Sequence, residues 1–285
     1  MGSPGPLQGV EKTALGVARV RALESGREDR LFDDPFAQAF LDAASGAFPE
    51  ERRAGEPGGG ALRALGAAFS AHAVIRTRFY DDWLAAAAAG GCGQVVLLAA
   101  GLDTRAFRLG WPAGTRVFEV DLPDVLAFKE AVLARSGAVP RCERVTVAAD
   151  LRRDWAAELV AAGFDRARPA AWLAEGLIIY LTAGEAGRLL GAVGDFSAAG
   201  SQLAFEHNPA GADAVTAKAR QLPGMRPYTA LWRGGLDDTP GWLSEHGWRT
   251  RIHELATLGR SYQRPVPGPA RSGFLTAVRL SHPAA

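Results

Sequence analysis

The residues with the clearest chemical potential stand at the ends of short apolar runs. Gly101 follows Val95–Ala100, Asp121 follows Arg116–Val120, Asp150 follows Arg144–Ala148, and Glu175-Gly176 closes Ala171–Gly176. Open parallel sheets bind ligands beyond the carboxyl ends of their strands, near the point where strand order reverses, so carboxylates at successive strand tips can converge on one polar ligand. Gly101 lets a ligand approach the backbone and leads into a helix start. The full G-x-G-x-x-G pattern is absent, so taken alone the turn fits a plain strand-to-helix connection at least as well. Asp121 comes about 20 residues later, the spacing at which a doubly wound fold offers an acid to ribose hydroxyls. The alternative is an acid that caps the helix starting near Pro123. Asp150 can accept from an adenine amino group while the Leu151 N–H donates to a ring nitrogen; it is equally a competent N-cap for a helix over Arg152–Ala162, the simpler reading of that site by itself. Glu175 would face the middle of the cleft, beside any cationic amine or sulfonium.

Two further residues are candidates for contact with a reacting molecule. His207 ends a strand over Ser201–Glu206, directly before a less regular stretch, where it either meets a substrate or satisfies a backbone group. Tyr180 lies just beyond Glu175 and points either into the cleft or into helix–sheet packing. His72, His246 and His253 show no ligand spacing. The tryptophans after residue 230 suit either a core or a pocket for aromatic molecules.

The elements that must position these residues follow from periodicity. From Gln94 onward, apolar runs bounded by turn residues alternate with amphipathic stretches, the signature of βαβ units and of a parallel sheet covered on both faces. Two final strands are expected over Trp248–His253 and Phe274–Leu280, with a helix over Trp242–His246. Before the sheet, Val10–Ala47 and Ala61–Ala89 carry helical spacing, and Asp34-Pro35 marks a helix start. Between them, Glu50–Gly60 has Ala54 as its single apolar side chain and reads as a loop. Trp83–Leu102 carries no formal charge, but Gly90, Gly91 and Gly93 and the switch to Val95-Val96-Leu97-Leu98 make it helix, turn and buried strand rather than a membrane span.

Composition narrows the class. Lys plus Arg number 32 against 31 Asp plus Glu, so no cationic surplus exists to grip a nucleic acid or an anionic membrane. Cys92 and Cys142 lie far apart with no further cysteine, and read as small apolar residues rather than metal ligands. No basic-then-apolar leader precedes the first helix, so a cytoplasmic protein is expected.

Together these stretches resemble the leucine carboxyl methyltransferase-like family, which includes bacterial polyketide O-methyltransferases. The matching segments are Thr13-Ala14 with Arg19 to Ala22, Leu31 to Pro35, Arg76-Thr77-Arg78 with Asp81, Gln94 to Arg108, and Val117 to Asp121. They continue with Asp150-Leu151-Arg152 and Trp155, Glu175-Gly176-Leu177 with Tyr180-Leu181, and Gly247-Trp248. The resemblance implies one α/β domain over 1–285, with a doubly wound Rossmann-like seven-stranded methyltransferase sheet. It would have an N-terminal helical lid over 1–90, core segments over 91–209 and 239–285, and a cap inserted over 210–238. It also implies S-adenosylmethionine as cofactor, no metal, and a small-molecule acceptor methylated on a carboxylate or phenolic oxygen. By the same resemblance Arg76 would hold the methionine carboxylate, Gly101 the methionine backbone, Asp121 the ribose, Asp150 and Leu151 the adenine, and Glu175 the methionyl end, with Arg19 a weaker match. His207 and Tyr180 remain the candidates near the acceptor. Similar proteins read Leu-Gly-Ala-Gly where this chain has Leu98-Ala99-Ala100-Gly101. If Ala99 needs a positive φ, its methyl costs about 1–2 kcal/mol; otherwise it narrows the space beside the cofactor.

Two other readings share parts of this pattern. A nicotinamide-dependent oxidoreductase has the same sheet and ribose acid but needs the second and third glycines at the first turn. A catalytically silent binding module could keep the cofactor site and use the segment after Pro209 for a protein partner.

Overall fold

The computed structural model describes residues 10–44, 59–207, 221, 229–266 and 272–281. The helices are α1 (Val10–Ser25), α2 (Ala37–Ala43), α3 (Gly59–Ala89), α4 (Arg105–Arg108), α5 (Pro123–Arg135), α6 (Trp155–Ala161), α7 (Ala183–Asp195), α8 (Thr239–Glu245) and α9 (Leu255–Ser261). The strands are β1 (Gln94–Leu98), β2 (Arg116–Asp121), β3 (Glu143–Ala148), β4 (Ala170–Ala174), β5 (Gln202–His207), β6 (Trp248–Glu254) and β7 (Gly273–Arg279). They form one seven-stranded sheet in the order β3-β2-β1-β4-β5-β7-β6. β1 to β5 run parallel, and β7 inserts antiparallel between β5 and β6. Strand order reverses between β1 and β4, which places the tips of those strands and of β2 and β5 at the crevice where such sheets bind ligands.

Alternation along the strands builds two cores. Val96, Leu98, Phe118, Val120, Trp172, Leu203 and Phe205 face α6, α7 and α8, while Val95, Leu97, Val117, Leu173 and Ala204 face α1, α2, α3, α5 and α9. β1 and β4 are buried along their whole length, as expected for the centre of a sheet covered on both sides. Cys92 and Cys142 are free thiols, the first buried.

Several local expectations are corrected. The helix marked by Asp34-Pro35 begins at Ala37; Asp34 is buried and stands 3.1 Å from Arg21 Nε, holding α1 instead of capping α2. The helix expected over Arg152–Ala162 is shorter, Trp155–Ala161, with Asp154 at its N-cap. Asp150 therefore does not cap it: its Oδ1 accepts the Arg152 N–H at 3.0 Å in a preceding turn. Leu122, not Asp121, is the N-cap residue of α5, and Pro123 takes the first helical position, where its missing N–H costs nothing. The stretch Trp83–Leu102 divides into the end of α3, a turn and β1, and no helix among the described residues is long and apolar enough to cross a membrane. α9 was not foreseen; it lies directly after β6, where Thr and Gly residues obscure the helical pattern.

Of the expected helical segment 1–90, α1 reaches the turn after β1, whereas α3 packs Ile75, Tyr80 and Leu84 fully buried against the sheet. The loop expected over Glu50–Gly60 falls outside the described residues up to position 58. Most of the cap expected over 210–238 also lies outside them. Its described end crosses the short 3₁₀ turn Ile178–Tyr180: Arg233 N–H and Gly235 N–H donate to Ile179 O and Leu181 O at 2.7 and 2.9 Å. Gly235, at φ +73, fits there because a Cβ would stand 2.7 Å from Ile178 Cγ2.

Candidate active site

The turn after β1 is built around two left-handed residues, Ala99 at φ 52 and Gly101 at φ 49. A left-handed conformation brings Cβ too close to the following carbonyl in any residue but glycine, so the Ala99 methyl is strained. The Gly101 N–H donates to Asp121 Oδ2 at 2.6 Å, and Asp121 Oδ1 accepts the Leu122 N–H at 2.7 Å. Burial pushes the Asp121 carboxyl above its ordinary range, opposed by these two N–H groups and by Lys129. Each carboxylate oxygen keeps a second lone pair, so Asp121 retains the capacity to accept from a diol. α1 covers this turn: a Cβ on Gly101 would lie 3.7 Å from Ala14 Cβ, and Arg21 Nη2 donates to Leu102 O at 2.7 Å.

Beside the turn lies a buried cluster of guanidinium and carboxylate groups drawn from four parts of the chain. Arg76, from α3, has Nε 2.8 Å from Glu175 Oε1 and Nη1 2.8 Å from Glu206 Oε1. Its Nε–H is nonetheless aligned with no acceptor among the described residues: the Glu175 contact is an ion pair without hydrogen-bond alignment. Arg105, at the start of α4, reaches Asp81 Oδ1 at 2.7 Å, Glu175 Oε2 at 2.8 Å, and Asp103. Arg108 grips both oxygens of Asp81 at 2.5 and 2.7 Å. Burial alone would raise the Glu175 carboxyl, but Arg105 and Arg76 hold it below its ordinary value. Glu206 goes the other way: burial pushes it up, Arg76 pulls it back and Glu175 adds to the rise. The Tyr80 hydroxyl, fully buried nearby, makes no hydrogen bond among the described residues, and burial beside Glu206 and Glu175 raises its pKa well above the ordinary value.

The site residues expected from sequence thus separate into groups. Gly101 pairs with Asp121, and Arg76 pairs with Glu175. Asp150 and Leu151 stand past the tip of β3, but Asp150 turns both oxygens to Arg152 at 2.9 and 2.7 Å, and that pairing draws its carboxyl to about 2. Tyr180 is half-buried in the 3₁₀ turn after β4. Arg19 is exposed and lines a groove with Ala22, Leu23, Gln38 and Leu41. His207 is buried at the end of β5, where desolvation lowers its pKa against the pull of Asp238. It lines a cavity of about 650 Å³ with Arg251, Ile252, His253, Glu254, Thr257 and Leu258. Among the described residues no group of three or more His, Cys, Asp or Glu is placed to hold a metal.

Sequence reasoning gave no role to Asp81, Asp103, Arg105, Arg108 or Glu206. Arg105 and Arg108 sit three apart directly after a buried strand, and guanidinium groups entering a core require carboxylate partners; that signal was present but does not say which acids answer it.

The donor set fits S-adenosylmethionine. Its net charge is positive, from a sulfonium and an ammonium against one carboxylate, and the cluster supplies four carboxylates (Asp81, Asp103, Glu175, Glu206) against three guanidinium groups (Arg76, Arg105, Arg108). A buried excess of one negative charge is unfavourable alone and favourable beside a cation.

Comparison with known proteins agrees with this class. Residues 14–194 match the model of the family described as leucine carboxyl methyltransferase. A protein of Parafrankia sp. (strain EAN1pec), named "Putative S-adenosyl-L-methionine-dependent methyltransferase", is 52% identical over 274 residues, covering 95% of this chain and 87% of its own. A Streptomyces coelicolor protein with the same descriptive name is 47% identical over 279 residues, covering 95% and 96%. Among solved structures, a DUF574 family protein of Streptomyces avermitilis superposes with a TM-score of 0.56 at 19% identity, covering 93% of this chain and 97% of that one. A Thermobifida fusca structure described as a "putative methyltransferase" gives 0.52 at 19%, covering 93% and 94%; these two likenesses concern the fold. The chain belongs to the leucine carboxyl methyltransferase family, and the protein is a methyltransferase. That membership favours neither the nicotinamide oxidoreductase nor the silent binding module.

Proposed function

We propose that the protein transfers a methyl group from S-adenosylmethionine to a carboxylate or phenolic oxygen of a small, largely apolar molecule of the secondary-metabolite kind, such as a polyketide. The cofactor is S-adenosylmethionine, and bound it supplies an electrophilic methyl on a sulfonium. The observation that carries the reading is the convergence of the Gly101–Asp121 pair and the Arg76–Glu175 pair beyond the carboxyl ends of β1, β2 and β4. Asp121 would accept from the ribose diol, Arg76 would hold the methionine carboxylate, and Glu175 would face the ammonium. Asp150 and Leu151 are assigned the adenine, for which the exposed Arg152 must share or release the Asp150 carboxylate.

The acceptor is assigned to the cavity beside His207. Its volume is in the range of small-molecule sites, and it adjoins the strand that carries Glu206. Methyl transfer is an in-line displacement, so the protein's task is to align the two molecules and exclude water. A carboxylate acceptor is ionised at neutral pH and needs no base, whereas a phenol with a pKa near 10 gains from one. Neutral His207 can take that proton, and Tyr180, just beyond Glu175 in the turn after β4, is the second residue assigned to the acceptor side of the cleft. The test is transfer of label from methyl-labelled S-adenosylmethionine across a panel of aromatic acids and phenols, with aromatic amines and activated carbon acids beside them. Oxygen-methylated product supports the proposal, and transfer confined to nitrogen or carbon acceptors overturns it.

A further inference from the structure

Glu206 is one of three acids of the buried cluster, with Asp81 and Asp103, for which the strand-tip pattern provides no role, and of the three it is the one that meets Arg76. It stands near the end of β5, and its side chain joins three elements. Oε1 accepts from Arg76 Nη1 of α3 at 2.8 Å, and the two oxygens share the Gly176 N–H after β4 at 2.8 and 2.9 Å. Gly176 is at φ +65, and a Cβ there would stand 3.7 Å from Arg76 Nη1, so the turn that carries Glu175 runs close along the guanidinium. Arg76 is consequently held between two carboxylates, with the side chains of Arg76, Glu175 and Glu206 exposed by only 9%, 17% and 11%.

We propose that Glu206 is a positioning residue for the amino-acid end of the cofactor: it fixes the Arg76 guanidinium and the Gly176 turn so that Arg76 and Glu175 face the methionyl carboxylate and ammonium as a matched pair. This rests on the methyltransferase reading above. A structural cross-link would need one carboxylate against Arg76. With the second one, the cluster that Arg105 joins through Glu175 holds four carboxylates against three guanidinium groups, and keeping that excess negative charge out of water is costly unless a cation joins it. A ligand that brings both an ammonium and a sulfonium supplies the missing charge: its ammonium competes for Glu175, which stands 2.8 Å from Arg76 Nε without hydrogen-bond alignment, and so releases that N–H to the ligand's carboxylate.

The experiment compares two ligands that differ at that end. S-adenosylhomocysteine carries the amino-acid group and 5′-methylthioadenosine lacks it; both are titrated calorimetrically into the wild type, Glu206→Gln and the shorter Glu206→Asp, with circular dichroism to confirm the fold. Loss of a charged hydrogen-bond anchor corresponds to about tenfold or more in affinity. The expected result is that loss for S-adenosylhomocysteine in each folded variant, with methylthioadenosine binding held within about twofold by the same reasoning. The KM for S-adenosylmethionine should rise while kcat is largely retained. Equal weakening of both ligands, or none, in whichever variant folds overturns the role of Glu206. A wild type that binds neither ligand overturns the methyltransferase reading itself, so the two failures are distinguishable.

Discussion

Asp121 Oδ2 lies 2.6 Å from the Gly101 nitrogen, so the acid at the tip of β2 is also the group that holds the turn after β1 in place. Binding and local architecture are therefore coupled at this residue. Asp121→Ala is expected to weaken S-adenosylhomocysteine binding about tenfold or more and to lower stability by about 1.5–3 kcal/mol, the cost of losing a hydrogen bond to a charged acceptor. Calorimetric titration and urea unfolding check the two parts, and unaltered affinity would remove Asp121 from the ribose site.

Ala99 occupies the left-handed region at φ 52, where a methyl group is strained and glycine is not. Glycine gives back part of the gain through its greater freedom in the unfolded chain. Ala99→Gly should therefore raise unfolding free energy by about 0.5–1 kcal/mol, seen as a higher denaturant midpoint with the slope unchanged.

Burial would raise the Asp103 carboxyl, but Arg105, Lys129 and Arg108 overcome it and hold it at about 2. An unfolded aspartate titrates near 4, so the native state binds this proton more weakly than the unfolded chain does. The stability it contributes is complete above about pH 4 and is lost as pH falls towards 2. Urea unfolding between pH 5 and pH 3 should show a steeper loss for wild type than for Asp103→Asn, which has no such proton to take up. Parallel curves would contradict the assignment.

His207 is desolvated and its pKa lowered, so its imidazole stays neutral, and able to accept a proton, at a lower pH than a free imidazole does. His207→Ala should slow methylation of a phenol by about 10²–10⁴, the usual contribution of a positioned base, and change the rate on a carboxylic acid little. Equal rates of wild type and variant on a phenol would take His207 out of the mechanism.

The strands were legible because burial on both faces leaves uninterrupted apolar runs: β1, β4 and β5 lie within a residue or two of Val95–Ala100, Ala171–Gly176 and Ser201–Glu206. The pairing of Gly101 with Asp121 was legible in kind, since a glycine turn and an acid about 20 residues on is a recurrent geometry. The partners of Arg76 and Arg105 were not, because Glu175 and Glu206 come from distant elements, 130 residues away for the Arg76–Glu206 contact, and spacing along the chain says nothing about which acid meets which guanidinium. Asp150 shows the opposite difficulty. Its two readings, cap and adenine ligand, are both local, yet the structure turns it to Arg152, a third partner just two residues away.

The most direct test of the account is a calorimetric titration of the wild-type protein with S-adenosylhomocysteine and, separately, with NADH. The account predicts saturable one-to-one binding of S-adenosylhomocysteine and no heat from NADH. Absence of S-adenosylhomocysteine binding, or saturable binding of NADH in its place, would contradict the claim that these strand tips form a methyl-donor site.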